Sequence, residues 1–252
     1  MKTILVIGAT GAQGGAIVRY LSSIGQYQIT AFTRSASSSH AMKLTESPNV
    51  KLAISSASSG YDTDAFLSTA SNTDYVLVNT DGFTLGEQAE TYWGIRLFEL
   101  AARAGVKHFI YSGLDSVGPK SNYDPDLYCG HYQGKARVQG SSTSILPDTI
   151  LSGPYMELLS AVLSPANEDR SLIFQFPLDD GSIPFIHLED FGKYINWALK
   201  NPDKSSSLDF GIATVQATGD QVAKACQDTK IGFQSVKDDN ALTMTYGENF
   251  AH

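Results

Sequence analysis

The stretch "VIGATGAQGG", Val6 to Gly15, places Gly8, Gly11 and Gly14 three residues apart, between an apolar run that begins at Thr3 and a helix-like segment that begins at Ala12. In a strand–turn–helix unit, one glycine permits the tight turn and one lets backbone N–H groups approach a pyrophosphate. The third lets the helix pack closely on the strand, and the helix N-terminus adds partial positive charge. Gly8, Ala9, Thr10, Gly11, Ala12, Gln13 and Gly14 are therefore candidate phosphate-binding residues. A glycine-rich turn that holds no ligand is the alternative.

Working outward, short β-branched runs alternate with helix-like segments up to about Ser112. That pattern buries a parallel sheet between two layers of helices. Strands are expected near Thr3–Ile7, Gln28–Phe32, Val50–Ile54, Tyr75–Val78 and His108–Tyr111. Helices are expected near Ala12–Ser23, Asp62–Ala70 and Glu87–Ala104, the last carrying Tyr92, Leu97, Leu100 and Ala101 at helical spacing. The fold class is α/β, a Rossmann-like doubly wound parallel sheet, spanning residues 1–150. After Asp148 the pattern loosens, and residues 151–252 are expected to form a small C-terminal α/β substrate lobe interleaved with the same domain. Serine-rich pieces at Ser35–Ser39, Ser55–Gly60 and Ser141–Ser144 are short enough to be punctuation between elements. A ligand crevice is expected outside the carboxyl ends of the strands.

Of 252 residues, 42% are hydrophobic and 17% charged, enough to bury a substantial core. The formal net charge of -8 argues against a general affinity for nucleic acid or an anionic membrane. Cys129 and Cys226 are too far apart in sequence to suggest a disulfide framework, and the five histidines lack metal-ligand spacing, so no metal is expected. The first apolar run is too short for a signal peptide or a membrane span, which makes a cytoplasmic protein the expectation.

Twenty residues beyond Gly14, where an acidic group would hydrogen-bond the ribose 2′-OH of NAD, the second strand runs into "AFTRSAS", and Arg34 stands there. A guanidinium pairs with a 2′-phosphate, with help from the hydroxyls of Thr33 and Ser35, so NADP(H) is favoured over NAD(H). A solvated arginine after a strand is the alternative.

The segments "GATGAQGG", "FTRS", "HFIYSGLDSV", "HYQGKARV" and "GPYMELL", in this order from Met1 to about Pro202, resemble the NmrA-like family of atypical short-chain dehydrogenase/reductases. "YSGLDS" followed by "HYQGK" is the more specific part. That family includes reductases and NADP-binding regulators with little or no turnover. The resemblance implies that Gly8 through Gln13 wrap the pyrophosphate and that Arg34 holds the 2′-phosphate. It also implies that Val78–Phe83, with Asn79 and Thr80, lies beside the adenosine and nicotinamide ribose, and that Lys135 hydrogen-bonds that ribose. Tyr155 and Met156 would face the nicotinamide.

Three departures stand out. Ser55 and Ser56 end the third strand where many relatives carry an aspartate near the adenine. The chain stops at His252, shorter than a typical member, so a shortened lobe and a more open cleft are expected. Finally, "GHYQGKARV" puts His131 where a short-chain reductase has the tyrosine of its Tyr-x-x-x-Lys pair.

His131 and Lys135 keep the i, i+4 relation that lets a lysine assist a proton donor on one helix face. Tyr132 is three residues before Lys135 and Tyr128 seven before it, so three proton donors are candidates. An imidazole titrates near neutral pH and can fill the role, or it can instead orient the ribose. Ser112, placed just after the fifth strand, is a candidate for orienting a substrate carbonyl, or a turn residue. His187 precedes acidic residues at a helix start and is expected to be structural, and Tyr111, Trp93 and Trp197 are expected in the core. Two functions follow: an NADP(H)-dependent oxidoreductase acting on a small organic carbonyl, alcohol or enone, or an NADP(H)-occupied regulator that reshapes a surface for a protein partner. A homodimer is left open.

Overall fold

The computed structural model describes residues 1–140, 148–159, 163–165, 172–176, 180–205, 209–225 and 231–235. Ser141–Ser144, Cys226 and the chain end at His252 lie outside the described residues.

β1 (Lys2–Ile7), β2 (Tyr27–Thr33), β3 (Val50–Ile54), β4 (Tyr75–Val78), β5 (His108–Gly113) and β6 (Asp148–Ser152) stand in one sheet in the order β6-β5-β4-β1-β2-β3, each neighbouring pair parallel. A seventh strand, β10 (Asp209–Ile212), extends the β6 edge. This is a Rossmann-like α/β fold, with the switch of strand order between β1 and β4. Ile4, Leu5, Val6 and Ile7 are all buried although they alternate faces, as a sheet covered on both sides requires.

The connecting helices are α1 (Ala12–Ser23), α2 (Ser39–Thr45), α3 (Thr63–Ala70), α4 (Gly82–Leu85), α5 (Glu87–Arg103), α6 (Val117–Lys120) and α7 (Gly130–Gly140). Phe66 of α3, Leu97 and Leu100 of α5 and Val138 of α7 join Leu5, Ile7, Val76, Val78, Phe109 and Tyr111 in one core cluster. α5 and α7 approach closely because Gly94 and Gly134 lack side chains. A Cβ on Gly94 would fall 2.4 Å from Val138 Cγ2. α8 (Leu188–Lys200) lies against α1, and the Tyr27 hydroxyl donates to Asn196 Oδ1 at 2.9 Å.

By its internal contacts the chain divides into two units. One is Met1–Ser116, Gly130–Leu151 and Leu188–Gly211. The other is Val117–Cys129, Ser152–His187 and Ile212–His252. The second unit contains an antiparallel pair, β9 (Ser182–Phe185) with β11 (Val215–Thr218). It also holds a three-stranded sheet in the order β12-β8-β7, made of β7 (Leu163–Pro165), β8 (Leu172–Phe176) and β12 (Ile231–Ser235).

Several expectations need adjusting. Asp62 is not in α3 but caps it, its side chain accepting from the Ala65 N–H. β5 runs on to Gly113, so Ser112 sits inside the strand, in register with Ile150. Tyr92 is exposed: five residues before Leu97, it is rotated about 140° from the core stripe at 100° per residue. Trp197 is also largely exposed and meets Phe210 edge-on, while Trp93 is half-buried against Tyr61 and Tyr92; only Tyr111 of the three named rings is a core residue.

Candidate functional site

The glycine turn shows why its sequence is as it is. Gly8 has φ +78°, and a Cβ there would fall 2.4 Å from the Asn79 carbonyl oxygen at the end of β4. A Cβ on Gly14 would fall 2.2 Å from the Gly8 carbonyl oxygen, so α1 can start against the turn only with glycine at that place. The N-cap of α1 is Gly11, which offers no side-chain cap, and the first turn contains no acidic residue. The opening N–H groups of a helix lack intrahelical acceptors and carry the positive end of its dipole. The turn is thus a cradle whose chemistry suits a phosphate.

At the end of β2, Arg34 is exposed immediately after Thr33, and the Thr33 hydroxyl accepts from the Ser35 N–H at 3.2 Å. Ser35, like Arg34, is exposed, and the chain turns into α2 through the Ser38 cap. Beyond β3, Ser56 donates to Asp62 Oδ2 from its backbone N–H at 3.0 Å and from its hydroxyl.

Lys135 is not a solvated helix lysine. Its ammonium lies 2.9 Å from Glu90 Oε1, 3.1 Å from the Thr80 carbonyl oxygen, 3.3 Å from the Thr80 hydroxyl and 3.3 Å from the Ser112 carbonyl oxygen. It also stands over the Tyr111 ring, 5.4 Å from the centroid. Burial pulls the Lys135 pKa below its ordinary value, and the neighbouring Glu90 carboxylate opposes that pull. Glu90 itself is completely buried. Its Oε1 also accepts from the Tyr111 hydroxyl at 3.2 Å and from the Thr80 hydroxyl, whereas Oε2 has no hydrogen-bond partner. Tyr111 is held well above the ordinary phenol pKa by burial and then by Glu90, and the partly buried Tyr61 is pushed up to about 12, mainly by desolvation.

Ser112 is buried and bonded to Gln13: the Gln13 amide donates to its hydroxyl at 2.9 Å, and the hydroxyl lies 3.2 Å from Gln13 Oε1. The turn therefore reaches β5 through a side chain, and β4 through Gly8 and Asn79. A chain of contacts runs from Gly8 to Asn79 and Thr80, on to Lys135 and Ser112, and back through Gln13 to the turn. All of it lies at the carboxyl ends of β1, β4 and β5.

His131 is half-buried on the first turn of α7. Its ring lies 4.8 Å from that of Phe83 and 4.8 Å from that of Tyr132. Desolvation first, and then the charge of Lys135, lower its pKa. Tyr155 and Met156 belong to the second unit. There Tyr155 bridges to Ile186, and the Met156 N–H donates to the Ile186 carbonyl at 2.9 Å. His187, also in that unit, pairs with Glu157 at 3.5 Å.

Sequence reading passed over Glu90, the Tyr111 hydroxyl and the Gln13 side chain. For Glu90 a signal existed: Glu90, Gly94, Leu97 and Ala101, at i, i+4, i+7 and i+11, are all buried on α5. A carboxylate on an apolar stripe requires a buried partner. Among the described residues no group of His, Cys, Asp or Glu has metal-binding geometry, and no helix is long and apolar enough to cross a membrane.

An NmrA-like family domain-containing oxidoreductase, himF of Aspergillus japonicus, is 26% identical over 241 residues, covering 87% of this chain and 69% of its own. Among solved structures, NmrA, a negative transcriptional regulator, matches in complexes with NADP and with NAD. Each gives a TM-score of 0.76 at 22% identity and covers 93% of this chain and 74% of that one. The NADPH-dependent quinone oxidoreductase QOR2 of Escherichia coli, complexed with NADPH, matches with a TM-score of 0.72 at 18% identity, covering 98% of this chain and 86% of that one. The sequence profile described as the NmrA-like family matches residues 1–237, and the chain belongs to that family.

Proposed function

We propose that this chain is an NADP(H)-dependent oxidoreductase that transfers a hydride to or from a small organic carbonyl, alcohol or enone. The observation that carries the reading is the closed set of contacts joining the glycine turn to Lys135 and Ser112 at the carboxyl edge of the sheet. Such edges are where open α/β sheets take their ligands. In this reading the backbone from Gly8 to Gly14 receives the pyrophosphate, Arg34 and Ser35 receive the 2′-phosphate, and Asn79, Thr80 and Lys135 line the ribose. Tyr155 and Met156, in the second unit, are the residues that the family resemblance assigns to the nicotinamide. Bound NADP(H) supplies or accepts the hydride, and the protein supplies orientation and a proton path. The oxidoreductase relatives and the NADPH-bound QOR2 support the choice.

One observation favours a second reading, an NADP(H)-occupied regulator. The polar groups expected to serve a substrate or the cofactor ribose are engaged internally: Ser112 with Gln13, and Lys135 with four oxygens. NmrA, a negative transcriptional regulator solved with NADP, has the same fold. Calorimetric titration with NADPH and NADH, followed by assays of NADPH oxidation against aldehydes, quinones and enones, separates the two. Turnover of any of them supports the enzyme. Binding without turnover, accompanied by altered protease sensitivity, supports the regulator. Failure to bind either cofactor refutes both.

A further inference from the structure

We propose that Glu90 is the positioning residue for Lys135, fixing both its direction and its charge at the carboxyl edge of the sheet. The inference rests on the reading above, in which Lys135 serves a bound cofactor.

The geometry is unequal in an informative way. An ammonium has three N–H groups, and here four oxygens surround it. The Glu90 contact at 2.9 Å is the shortest and the only one to a carboxylate, whereas the Thr80 hydroxyl and the Ser112 carbonyl stand at 3.3 Å. A ribose hydroxyl that takes one N–H displaces a long neutral contact and leaves the carboxylate in place. Glu90 is in turn fixed at Oε1 by Tyr111 and Thr80, and its Cγ lies where a side chain on Gly134 would intrude, 3.2 Å from that residue's missing Cβ. Gly82 leaves the space that the partnerless Oε2 occupies, since a Cβ there would fall 2.3 Å from it. Two glycines on two elements therefore shape a slot for this one carboxylate.

The groups that act on Lys135 are Glu90 from α5, the Tyr111 ring from β5, Thr80 and Asp81 from the segment after β4, and His131 from its own helix. Glu90 also acts on Tyr61 in the loop before α3, and Tyr61 in turn acts on Tyr111. Of the carboxylates only Glu90 is in direct contact, and without it burial would favour the neutral amine. A neutral Lys135 has two N–H groups and no charge to offer a ribose.

The test follows Lys135 itself. In protein carrying 13Cε-labelled lysine, the resonance lost in Lys135→Arg identifies Lys135, and its titration is compared in wild type and Glu90→Gln. NADPH affinity is measured across the same pH range. The expected result is a Lys135 midpoint lower by about one pH unit or more in Glu90→Gln, with the alkaline loss of NADPH affinity moving down with it. Should Glu90→Gln fail to fold, Glu90→Asp, which retracts the oxygen by one methylene, is expected to shift both in the same direction by less. Coincident midpoints in wild type and variant overturn the proposal. So does a midpoint that moves while the NADPH profile stays put, because Glu90 is then only a structural partner. If wild type binds no NADPH at any pH, the cofactor reading has failed, and the positioning role falls with it.

Discussion

The Glu90 carboxylate, wholly buried in α5, lies 2.9 Å from the ammonium of Lys135 on α7, and the pair is roofed by the hydroxyls of Thr80 and Tyr111. Breaking a buried pair from one side leaves an uncompensated charge and typically costs about 3–5 kcal/mol, whereas replacing both partners with apolar groups is often near neutral. Lys135→Met should therefore lower stability by about that amount, and Lys135→Met combined with Glu90→Leu should recover most of it. Urea denaturation of the wild type, Lys135→Met, Glu90→Leu and the double variant checks this. A double variant as unstable as the sum of its single changes would mean that the pair is not coupled.

Arg34 gives the cofactor prediction. It is exposed just after β2, where a guanidinium stands in place of an acidic group and can attract a 2′-phosphate. A charge-assisted contact of this kind contributes about 1.5–3 kcal/mol, so Arg34→Ala should weaken NADPH binding about tenfold to a hundredfold and leave NADH nearly unaffected. Titration calorimetry with both cofactors decides it, and equal losses would remove Arg34 from the phosphate site.

His131 makes a stability prediction with a definite sign. Its pKa in the folded protein is lowered by desolvation and by Lys135, so the unfolded chain binds the proton more readily. Stability contributed by this residue is present above its ordinary pKa of about 6.5 and is lost as pH falls from there toward the folded value. His131→Gln should flatten that part of the stability–pH curve. Thermal unfolding measured from neutral to mildly acidic pH in both proteins tests it, and parallel curves would place the acid sensitivity elsewhere.

The reach and failure of the sequence reading have physical reasons. The parallel sheet was legible because both faces of β1 are buried, which demands the unbroken run Ile4–Ile7. The glycine turn was legible because positive φ and close backbone approach admit only one residue type. Glu90 stands on the buried stripe of α5, yet that signal is masked because an acidic residue in the first turn of a helix normally complements the dipole and faces water. The bond from Gln13 to Ser112 joins residues far apart in the chain, and only the packing of β1 beside β4 and β4 beside β5 brings them together. The large rings misled because Trp197 and Tyr92 ride on otherwise amphipathic helices, where a ring can lie against a neighbouring ring and still face solvent.

The last prediction concerns the missing tyrosine. His131 keeps one-turn spacing to Lys135 on α7, and its depressed pKa leaves the imidazole neutral near pH 7, able to donate from one nitrogen and accept at the other. Tyr132 touches the same ring, so the two candidates are neighbours and must be separated by substitution. General acid–base assistance contributes about 10²–10⁴-fold, so His131→Ala should lower kcat by that order while NADPH affinity changes little. Lys135→Ala should damage kcat and NADPH affinity together, because in this reading it serves the ribose as well as the proton path. Tyr132→Phe should be nearly silent. The measurement is the rate of NADPH oxidation with whichever aldehyde, quinone or enone the wild type accepts, compared across the three variants. Loss of turnover in Tyr132→Phe alone would move the proton donor one residue along the helix, and equal activity in all of them would leave the proton to solvent.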